Sequence, residues 1–383
     1  MNKLKNIGIS ALAGTLVSLS AAQAGGVSVS GSWELSYTNK NSEKVTGNKL
    51  GVNKNISFGA SGDLSDGGGV TWSSLVALSD AYGFTSGSVA INMGGIATLA
   101  YDSGTGGYGA NAVDNIVPTA WEEIDYGLST GITDVGRISS SKGVVNLAIK
   151  APTAGTGIAF SYIANVGGGH IADGATSGEV SGEQGVDLVL DIINYSSAHF
   201  GTRIGFAGEM ELVGDHCGDQ GGGNVQSACS ASYDHNPYAG TAYTTLALGP
   251  IHLGAQATFE DMGSVAMTGV ANTRSIVAGV AFVVADTISF SYGRGYEKIR
   301  YNDALRGTGW SQQAKGSNPN QVSESSGDTG LFEYENVDYA GFSAAINMGP
   351  VAVKATRNRV DGAGEGGSSQ PRKHSEINLS IAF

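Results

Sequence analysis

The chain has 383 residues, of which 60 are Gly and only 7 are Pro, with 14% charged residues and a formal net charge of −13. This balance fits neither a highly charged disordered chain nor a helical membrane protein. A nucleic-acid partner is not expected, because phosphate binding needs a basic surface that so acidic a composition does not supply.

The first 24 residues have the order of a secretory signal peptide. Lys3 and Lys5 come before a mostly apolar stretch, and that stretch is followed by small residues at Ala22 and Ala24. The apolar stretch is shorter than the roughly 20 residues that a transmembrane helix requires. The sequence therefore predicts a signal peptide over 1–24 and an exported mature chain.

Alternation of apolar and polar residues recurs along the whole mature chain. In VSVSGSWELSY, over 27–37, Val, Trp, Leu and Tyr occupy one set of alternate positions and Ser or Glu the other, and IHLGAQATF over 251–259 is similar. Such a segment places one face in an apolar medium and the other in a polar one. Many segments run to about ten residues, the length of a tilted strand that crosses a bilayer, whereas strands of soluble sandwiches are usually about 5 to 6 residues long.

The rhythm of these segments predicts sixteen strands, near 26–38, 53–62, 69–79, 87–94, 95–102, 143–150, 157–165, 184–195, 200–212, 240–249, 251–261, 272–284, 287–299, 339–348, 351–359 and 373–383. Minimal joints such as Gly249-Pro250 alternate with long polar ones such as 213–238. This organisation predicts one all-β domain over 25–383, a transmembrane antiparallel β-barrel with short periplasmic turns and long extracellular loops. An additional pair of strands could be hidden in 121–141 or 330–338.

The chain ends NLSIAF, so that an aromatic residue, Phe383, occupies the last apolar position in the alternation of the last predicted strand. The signal peptide, the strand rhythm, this ending and one long loop together resemble the general porins of the Gram-negative outer membrane, which are trimers of 16-stranded barrels. The resemblance implies a homotrimer in the bacterial outer membrane, in contact with its lipid and lipopolysaccharide. It also implies that the outer-membrane barrel assembly machinery reads Phe383 as an assembly signal.

The longest connection in the first half of the chain runs from about 103 to 142. In the porins that the chain resembles, this third loop folds into the lumen and narrows the pore. Its charged residues here are mostly acidic: Asp114, Glu122, Glu123, Asp125 and Asp134, against Arg137. Folded inward, these carboxylates would favour cations at the constriction. The alternatives are an external loop with solvated charges, or a further hairpin, EEIDYGLSTGITDVGRIS.

The wall facing this loop departs from the family. Similar porins place a cluster of arginines on the early strands, whereas the inward positions predicted for the first four strands here hold no Arg or Lys: Ser28, Ser30, Glu34, Ser36, Asn55, Ser57, Thr71, Ser73, Ser88 and Asn92. The remaining charged residues predicted for the lumen wall are Lys150, Asp187, Asp191, Arg203, Glu209, Glu211, Lys354 and Glu376. The lumen as a whole is therefore predicted to be acidic.

Cys217 and Cys229 lie in one Gly-rich loop, with His216 and His235 nearby. Export to an oxidising compartment favours a disulfide between them. A zinc site made of both thiolates and two histidines, or two free thiols, are the alternatives.

No cofactor is predicted. One hypothesis places Ca²⁺ or Mg²⁺ on an acidic extracellular loop that contains Asp173, Glu179 and Glu183, where it would bridge to lipopolysaccharide phosphates.

These features predict a water-filled channel for passive diffusion of small hydrophilic solutes and ions, with a preference for cations. An enzyme is not expected, since H-E-x-x-H does not occur. Two alternatives remain open. One is a surface-exposed structural or adhesin-type barrel whose loops bind a partner or a phage, and the other is a substrate-specific outer-membrane channel.

Overall fold

A computed structural model describes residues 26–40, 48–64, 69–79, 83–128, 131–139, 142–150, 155–164, 184–197, 199–212, 235–263, 270–284, 287–301, 334–362 and 371–383. Its strands are β1 (Gly26–Lys40), β2 (Leu50–Asp63), β3 (Val70–Leu78), β4 (Phe84–Met93), β5 (Ala97–Ser103), β6 (Lys142–Lys150), β7 (Gly157–Ile163), β8 (Gln184–Ser196), β9 (Phe200–Leu212), β10 (Tyr238–Leu248), β11 (Ile251–Asp261), β12 (Val270–Val284), β13 (Ile288–Tyr301), β14 (Tyr334–Met348), β15 (Val351–Asp361) and β16 (Arg372–Ala382).

The sixteen strands form one closed barrel, in which each strand pairs antiparallel with its neighbours in sequence and β1 pairs with β16. The predicted fold class and strand number are confirmed. The stretch 330–338 contributes a longer β14, which begins at Tyr334 rather than near residue 339. The hairpin considered for the long loop is wrong for the part that the structure describes, because 121–128 and 131–139 contain no strand.

Burial along the strands is inverted with respect to a soluble protein. On β16, Ile377 is 57% exposed and points outward, whereas Asn378 is 3% exposed and points inward. Apolar side chains on the outside of a closed barrel and polar ones inside are the pattern of a barrel that sits in lipid. Within the described residues, no helix is long and apolar enough to cross a membrane.

The barrel closes at the very end of the chain. The Phe383 amide donates to the Gly31 carbonyl at 3.0 Å, and the Gly31 amide donates back to the Phe383 carbonyl at 2.8 Å. The last residue therefore belongs to the sheet, and its ring lies on the outer surface, 62% exposed.

The connection between β5 and β6, residues 104–141, is called loop 3 here. It enters the barrel, begins with a short 3₁₀ turn (Gly109–Val113), and packs on the inner face of the wall. Val113 contacts Val189 and Ala207 near β8 and β9, while Ile124 and Leu128 pack with Tyr339 further round the barrel. The expectation that the third loop folds into the lumen is confirmed.

Candidate pore constriction

A row of glycines makes room for loop 3 on the inner wall. Gly254, Gly279, Gly293 and Gly341 lie side by side across β11, β12, β13 and β14. A methyl group on Gly341 would lie 2.7 Å from the Cα of Ile124, and one on Gly279 would lie 2.6 Å from the Cγ1 of Val117. None of the four has a positive φ, so space rather than backbone conformation is the reason for glycine here. We call these four residues the glycine row.

Side chains of the wall satisfy the loop's backbone. Ser291 Oγ accepts a hydrogen bond from the Ala120 amide at 2.8 Å. The Asn358 side-chain amide donates to the carbonyls of Glu123 at 2.7 Å and Tyr126 at 3.0 Å. Backbone groups inside a barrel need such partners when water is excluded from them. The loop is therefore fastened to β13 and β15, beside and just beyond the glycine row.

Several of the predicted acidic wall residues lie behind the loop. Glu209 accepts a hydrogen bond from the Ile138 amide at 3.0 Å, and Glu211 forms an ion pair with Arg137 at 3.0 Å. Asp187 is 1% exposed beneath the 3₁₀ turn. These three carboxylates face inward as predicted, but loop 3 covers them, so they hold the loop instead of lining an open path.

Loop 3 packs on the wall away from β1 to β4, and a space of about 370 Å³ lies along the inner face of these four strands. Its lining includes Ser30, Glu34, Asn53, Asn55 and Ser57. Among the side chains described on these four strands, no arginine or lysine points inward. This side of the aperture therefore presents hydroxyls, amides and one carboxylate.

Charge gathers at one edge of this aperture. Lys354 Nζ lies 3.7 Å from Glu34 Oε1 and 5.8 Å from the centre of the Trp121 ring. Burial, Glu376 and Glu34 together raise the pKa of Glu122 to about 7, and Lys354 opposes this rise. Glu122 therefore interacts electrostatically with Glu376, Glu34 and the ammonium group of Lys354. We call these four residues the aperture cluster, and its carboxylates outnumber its cation by three to one.

The other acids of loop 3 gather away from the aperture. Asp114, Glu123, Asp125 and Asp134 line a small cavity of about 40 Å³ between loop 3 and the wall at β11 and β12, together with Gln256 and Thr258. Burial and the adjacent Asp134 raise the pKa of Asp114 to about 9, and burial and Asp125 raise that of Glu123 to about 8. Asp125 accepts a hydrogen bond from the Ile132 amide at 2.8 Å. These carboxyls link the two limbs of the loop, and Asp114 and Glu123 hold protons at neutral pH.

Two of the three basic residues predicted for the lumen, Lys150 and Arg203, lie at another level, towards the short-turn end. Lys150, Arg203 and His252 line a space of about 450 Å³ there. Arg203 forms a two-point contact with Asp191 at 2.8 and 3.0 Å, and Tyr243 donates to the same carboxylate at 2.7 Å. The Arg203 charge is therefore largely balanced, and Lys150 contributes positive potential below the constriction.

The remaining predictions lie outside the described residues. They concern the signal peptide at 1–24, the cysteine pair Cys217 and Cys229, and the acidic loop with Asp173, Glu179 and Glu183. In the part of the chain that the structure covers, no cluster of three or more His, Cys, Asp or Glu has an arrangement suited to a metal ion.

No family model and no curated protein matches the sequence. Solved structures do match over almost the whole chain. OmpT, an outer membrane protein of Vibrio cholerae, has a TM-score of 0.56 and 13% identity, with 95% of this chain and 99% of that chain covered. OprB of Pseudomonas putida has a TM-score of 0.58 and 11% identity, with 94% of each chain covered. An anion-selective porin from Comamonas acidovorans has a TM-score of 0.52 and 13% identity, with 94% and 100% covered.

These similarities establish a porin-type barrel fold. They do not show which ions this chain prefers, since one of the similar structures is described as anion-selective. Function follows from the site and not from the fold. The selectivity of this chain therefore has to be argued from its own aperture cluster.

Proposed function

We propose that the protein is an outer-membrane channel through which small hydrophilic solutes and ions diffuse passively, with a preference for cations. The observation that carries this proposal is the position of loop 3. It is fastened to one side of the lumen, and the space along β1 to β4 on the other side is lined by neutral polar groups and by Glu34 and Lys354 of the aperture cluster. Such an arrangement narrows a pore without closing it.

The charge of the aperture cluster supports the preference for cations. A ring of carboxylates at a constriction lowers the energy of a passing cation and raises that of an anion. Glu34 and Glu122 supply the negative potential, and Lys354 reduces it locally. Transport through such a pore requires no bond to be made or broken.

Export, assembly and oligomeric state belong to the same proposal. The signal peptide at 1–24 would direct secretion, and the exposed Phe383 ring at the end of β16 is placed where assembly machinery could bind it. The outward apolar surface supports insertion in lipid. A homotrimer is proposed from the resemblance to the general porins.

The proposal is tested with refolded mature protein in liposomes. Swelling rates with neutral sugars of increasing size should fall gradually with size, and heat-denatured protein should give no swelling. Planar bilayers should show stable openings. A folded barrel that passes neither sugars nor ions would overturn the channel proposal and favour a protein that acts through its loops.

A further inference from the structure

A lysine, an asparagine and a glutamate come together where the barrel closes. Lys354 on β15 and Asn378 on β16 are directly opposite each other in the strand register, and both side chains are buried inside the barrel. Glu34 lies on β1, on the other side of β16, where it is opposite Ser380. Three neighbouring strands therefore bring an amine, a primary amide and a carboxylate to one place. We call Lys354, Asn378 and Glu34 the seam triad.

The side chain of Lys354 crosses β16. Its Nζ lies 3.7 Å from Glu34 Oε1, although β16 separates the strands that carry these two residues. Neighbouring strands are about 4.8 Å apart, and the Cβ atoms of directly opposite residues are about 4.5–5.5 Å apart. A lysine that extends from β15 to Glu34 therefore passes next to the side chain of Asn378. This path brings the lysine nitrogen close to the amide carbon of Asn378.

The three groups are shielded from bulk water. Lys354 and Asn378 are each 3% exposed, and the Glu34 side chain is 13% exposed. The Trp121 ring of loop 3 also lies over the ammonium group, with its centre 5.8 Å from Nζ. Exclusion of water from a reacting site strengthens the electrostatic interactions within it and prevents hydrolysis of intermediates. The surroundings of the seam triad therefore suit a reaction between its own side chains.

The amide oxygen of Asn378 is buried and accepts no hydrogen bond from the residues that the structure describes. A buried acceptor without a donor is unfavourable and requires an explanation. Glu34 is a diagonal neighbour of Asn378 across the β1–β16 ladder, a spacing that long side chains can bridge. A protonated Glu34 could therefore donate to this oxygen, and the donation would be strongest when the oxygen carries a negative charge. The unpaired oxygen is explained if the Asn378 carbonyl is the target of a nucleophile.

We propose that Lys354 and Asn378 become joined by an amide bond after the barrel has folded, and that Glu34 transfers the protons. The Lys354 ammonium gives a proton to the Glu34 carboxylate, and the neutral amine attacks Cγ of Asn378 with its lone pair. Protonated Glu34 then donates a hydrogen bond to Oδ1 of the tetrahedral intermediate. A second lysine proton moves to the side-chain nitrogen of Asn378, which leaves as ammonia when its bond to Cγ breaks.

The reaction needs no other reactant. One C–N bond forms as another breaks, nothing is oxidised or reduced, and the ammonia takes the remaining proton from Glu34 in water, so that Glu34 returns to a carboxylate. The space of about 370 Å³ that Glu34 and Lys354 line gives the ammonia a way out. Contact between the amine and the amide makes the reaction intramolecular, which accelerates it greatly over the same reaction between free side chains.

The bond would change both the stability and the charge of the seam. It would join the last two strands covalently, so that β16 could no longer separate from β15. It would also remove the ammonium group from the aperture cluster, and cation preference would rise as the bond forms. A barrel that has just folded still carries the ammonium group, and the charges discussed for the channel are those of this state.

A second pair in the chain has the same register without the same surroundings. Lys298 on β13 and Asn336 on β14 are directly opposite each other, on the outer face of the barrel. Asn336 is exposed, and its Oδ1 already accepts a hydrogen bond from Tyr296. This pair should stay unlinked, so it separates an effect of the buried site from an effect of proximity alone.

The test follows the intact mass of the refolded mature protein during incubation, together with peptide maps of the same samples. The wild type should lose the mass of one ammonia with time, and digestion should yield a peptide in which Lys354 and Asn378 are joined. Lys354→Met should show no such loss. Glu34→Gln should slow the loss by roughly 100-fold, the contribution expected of one group that transfers protons. Lys298→Met is the control and should behave as the wild type does.

A folded wild type whose mass stays constant on prolonged incubation would overturn the proposal. Loss of one water, with Lys354 joined to Glu34 instead, or an equal rate in Glu34→Gln would also overturn it. If a variant fails to refold, the wild type kept unfolded in urea gives the comparison, because the unfolded chain should lose no ammonia. Channel conductance is a separate readout, so this proposal can fail while the channel proposal stands.

Discussion

Lys354 on β15 lies 3.7 Å from the carboxylate of Glu34 on β1, and the two strands are separated by β16. The lysine side chain is 3% exposed and also faces the Trp121 ring of loop 3 at 5.8 Å. Lys354 therefore interacts with the first strand, near the place where the barrel closes, and with loop 3, and it also contributes to the charge of the aperture cluster. This position makes Lys354 the residue through which stability and ion preference are coupled.

Replacing Lys354 with Met should make the channel more selective for cations. The substitution removes the only cation of the aperture cluster, and it leaves Glu34 without its partner at a cost of roughly 1–3 kcal/mol in unfolding free energy. Because Lys354 lowers the pKa of Glu122, the reversal potential should be measured at pH 8.5, where Glu122 remains ionised. Lys54→Met, on the outer face, is the matched control and should change neither quantity by a comparable amount. If the reversal potential of the variant were unchanged, the charge of Lys354 would not act on ions in the aperture.

Cation preference should fall as the pH is lowered through about 7. Burial and Glu376 raise the pKa of Glu122 to about 7, so this carboxylate takes up a proton between pH 8.5 and 5.5 and the aperture loses negative charge. Reversal potentials across a KCl gradient at several pH values would follow the change. In Glu122→Gln the same series should be nearly flat over that interval. A variant that keeps the full pH dependence would show that another group titrates.

Loop 3 should loosen at high pH. Burial and Asp134 raise the pKa of Asp114 from an ordinary value of 3.8 to about 9, so the docked loop binds a proton more tightly than a released loop. Docking is therefore most favoured at low pH; it weakens progressively as the pH rises above 3.8, and the loss is complete once the pH has passed about 9. Hydrogen exchange of 114–128 should accelerate beyond its intrinsic pH dependence as the pH is raised towards about 9, and the additional acceleration should level off above that pH. Asp114→Asn should suppress the additional acceleration, while Asp361→Asn, on the outer face, should leave it in place.

A side chain in the glycine row should narrow the pore. In Gly341→Val, the new Cβ would press on the Ile124 backbone and push loop 3 towards β1 to β4. Single-channel conductance should fall, and overpacking should cost about 1–3 kcal/mol of stability. Gly240→Val is the control, since the nearest atom to a Cβ at position 240 is the backbone oxygen of Ala207 on β9, 3.7 Å away. Conductance equal to that of the wild type would mean that the loop adjusts without moving into the aperture.

The barrel was predictable because its strands obey a simple rule. Where one face of a strand meets lipid, every second residue is apolar and points outward, and this alternation identifies the strand. β16 follows the rule from Ile377 to Ile381. The strand ends were less accurate. β14 begins five residues earlier than its pattern suggested, because Glu335, Asn336 and Asp338 extend the ladder beyond the apolar band. The side chains still alternate there, but the polarity is reversed: Asn336 and Asp338 are exposed on the outside, whereas Val337 and Tyr339 are buried inside.

The composition of loop 3 did not predict which of its acidic residues lie at the aperture and which lie at the cavity behind the loop. Glu122 and Glu123 are adjacent in sequence, yet Glu122 belongs to the aperture cluster and Glu123 to the cavity behind the loop. An irregular loop has no period from which the direction of a side chain could be read. The glycine row was accessible in principle, since glycines at inward positions of successive strands indicate a close approach of other backbone.

The most direct test of the account is the reversal potential of single channels across a KCl gradient at pH 8.5, for the wild type and for the pair Glu34→Gln and Glu122→Gln. Asp338→Asn, on the outer face, serves as the control. The account predicts a potential of the sign that favours K⁺ in the wild type and the control, and a clear shift towards zero in the double variant. A wild-type channel that favours Cl⁻, or a double variant with an unchanged potential, would contradict the assignment of ion preference to the aperture cluster.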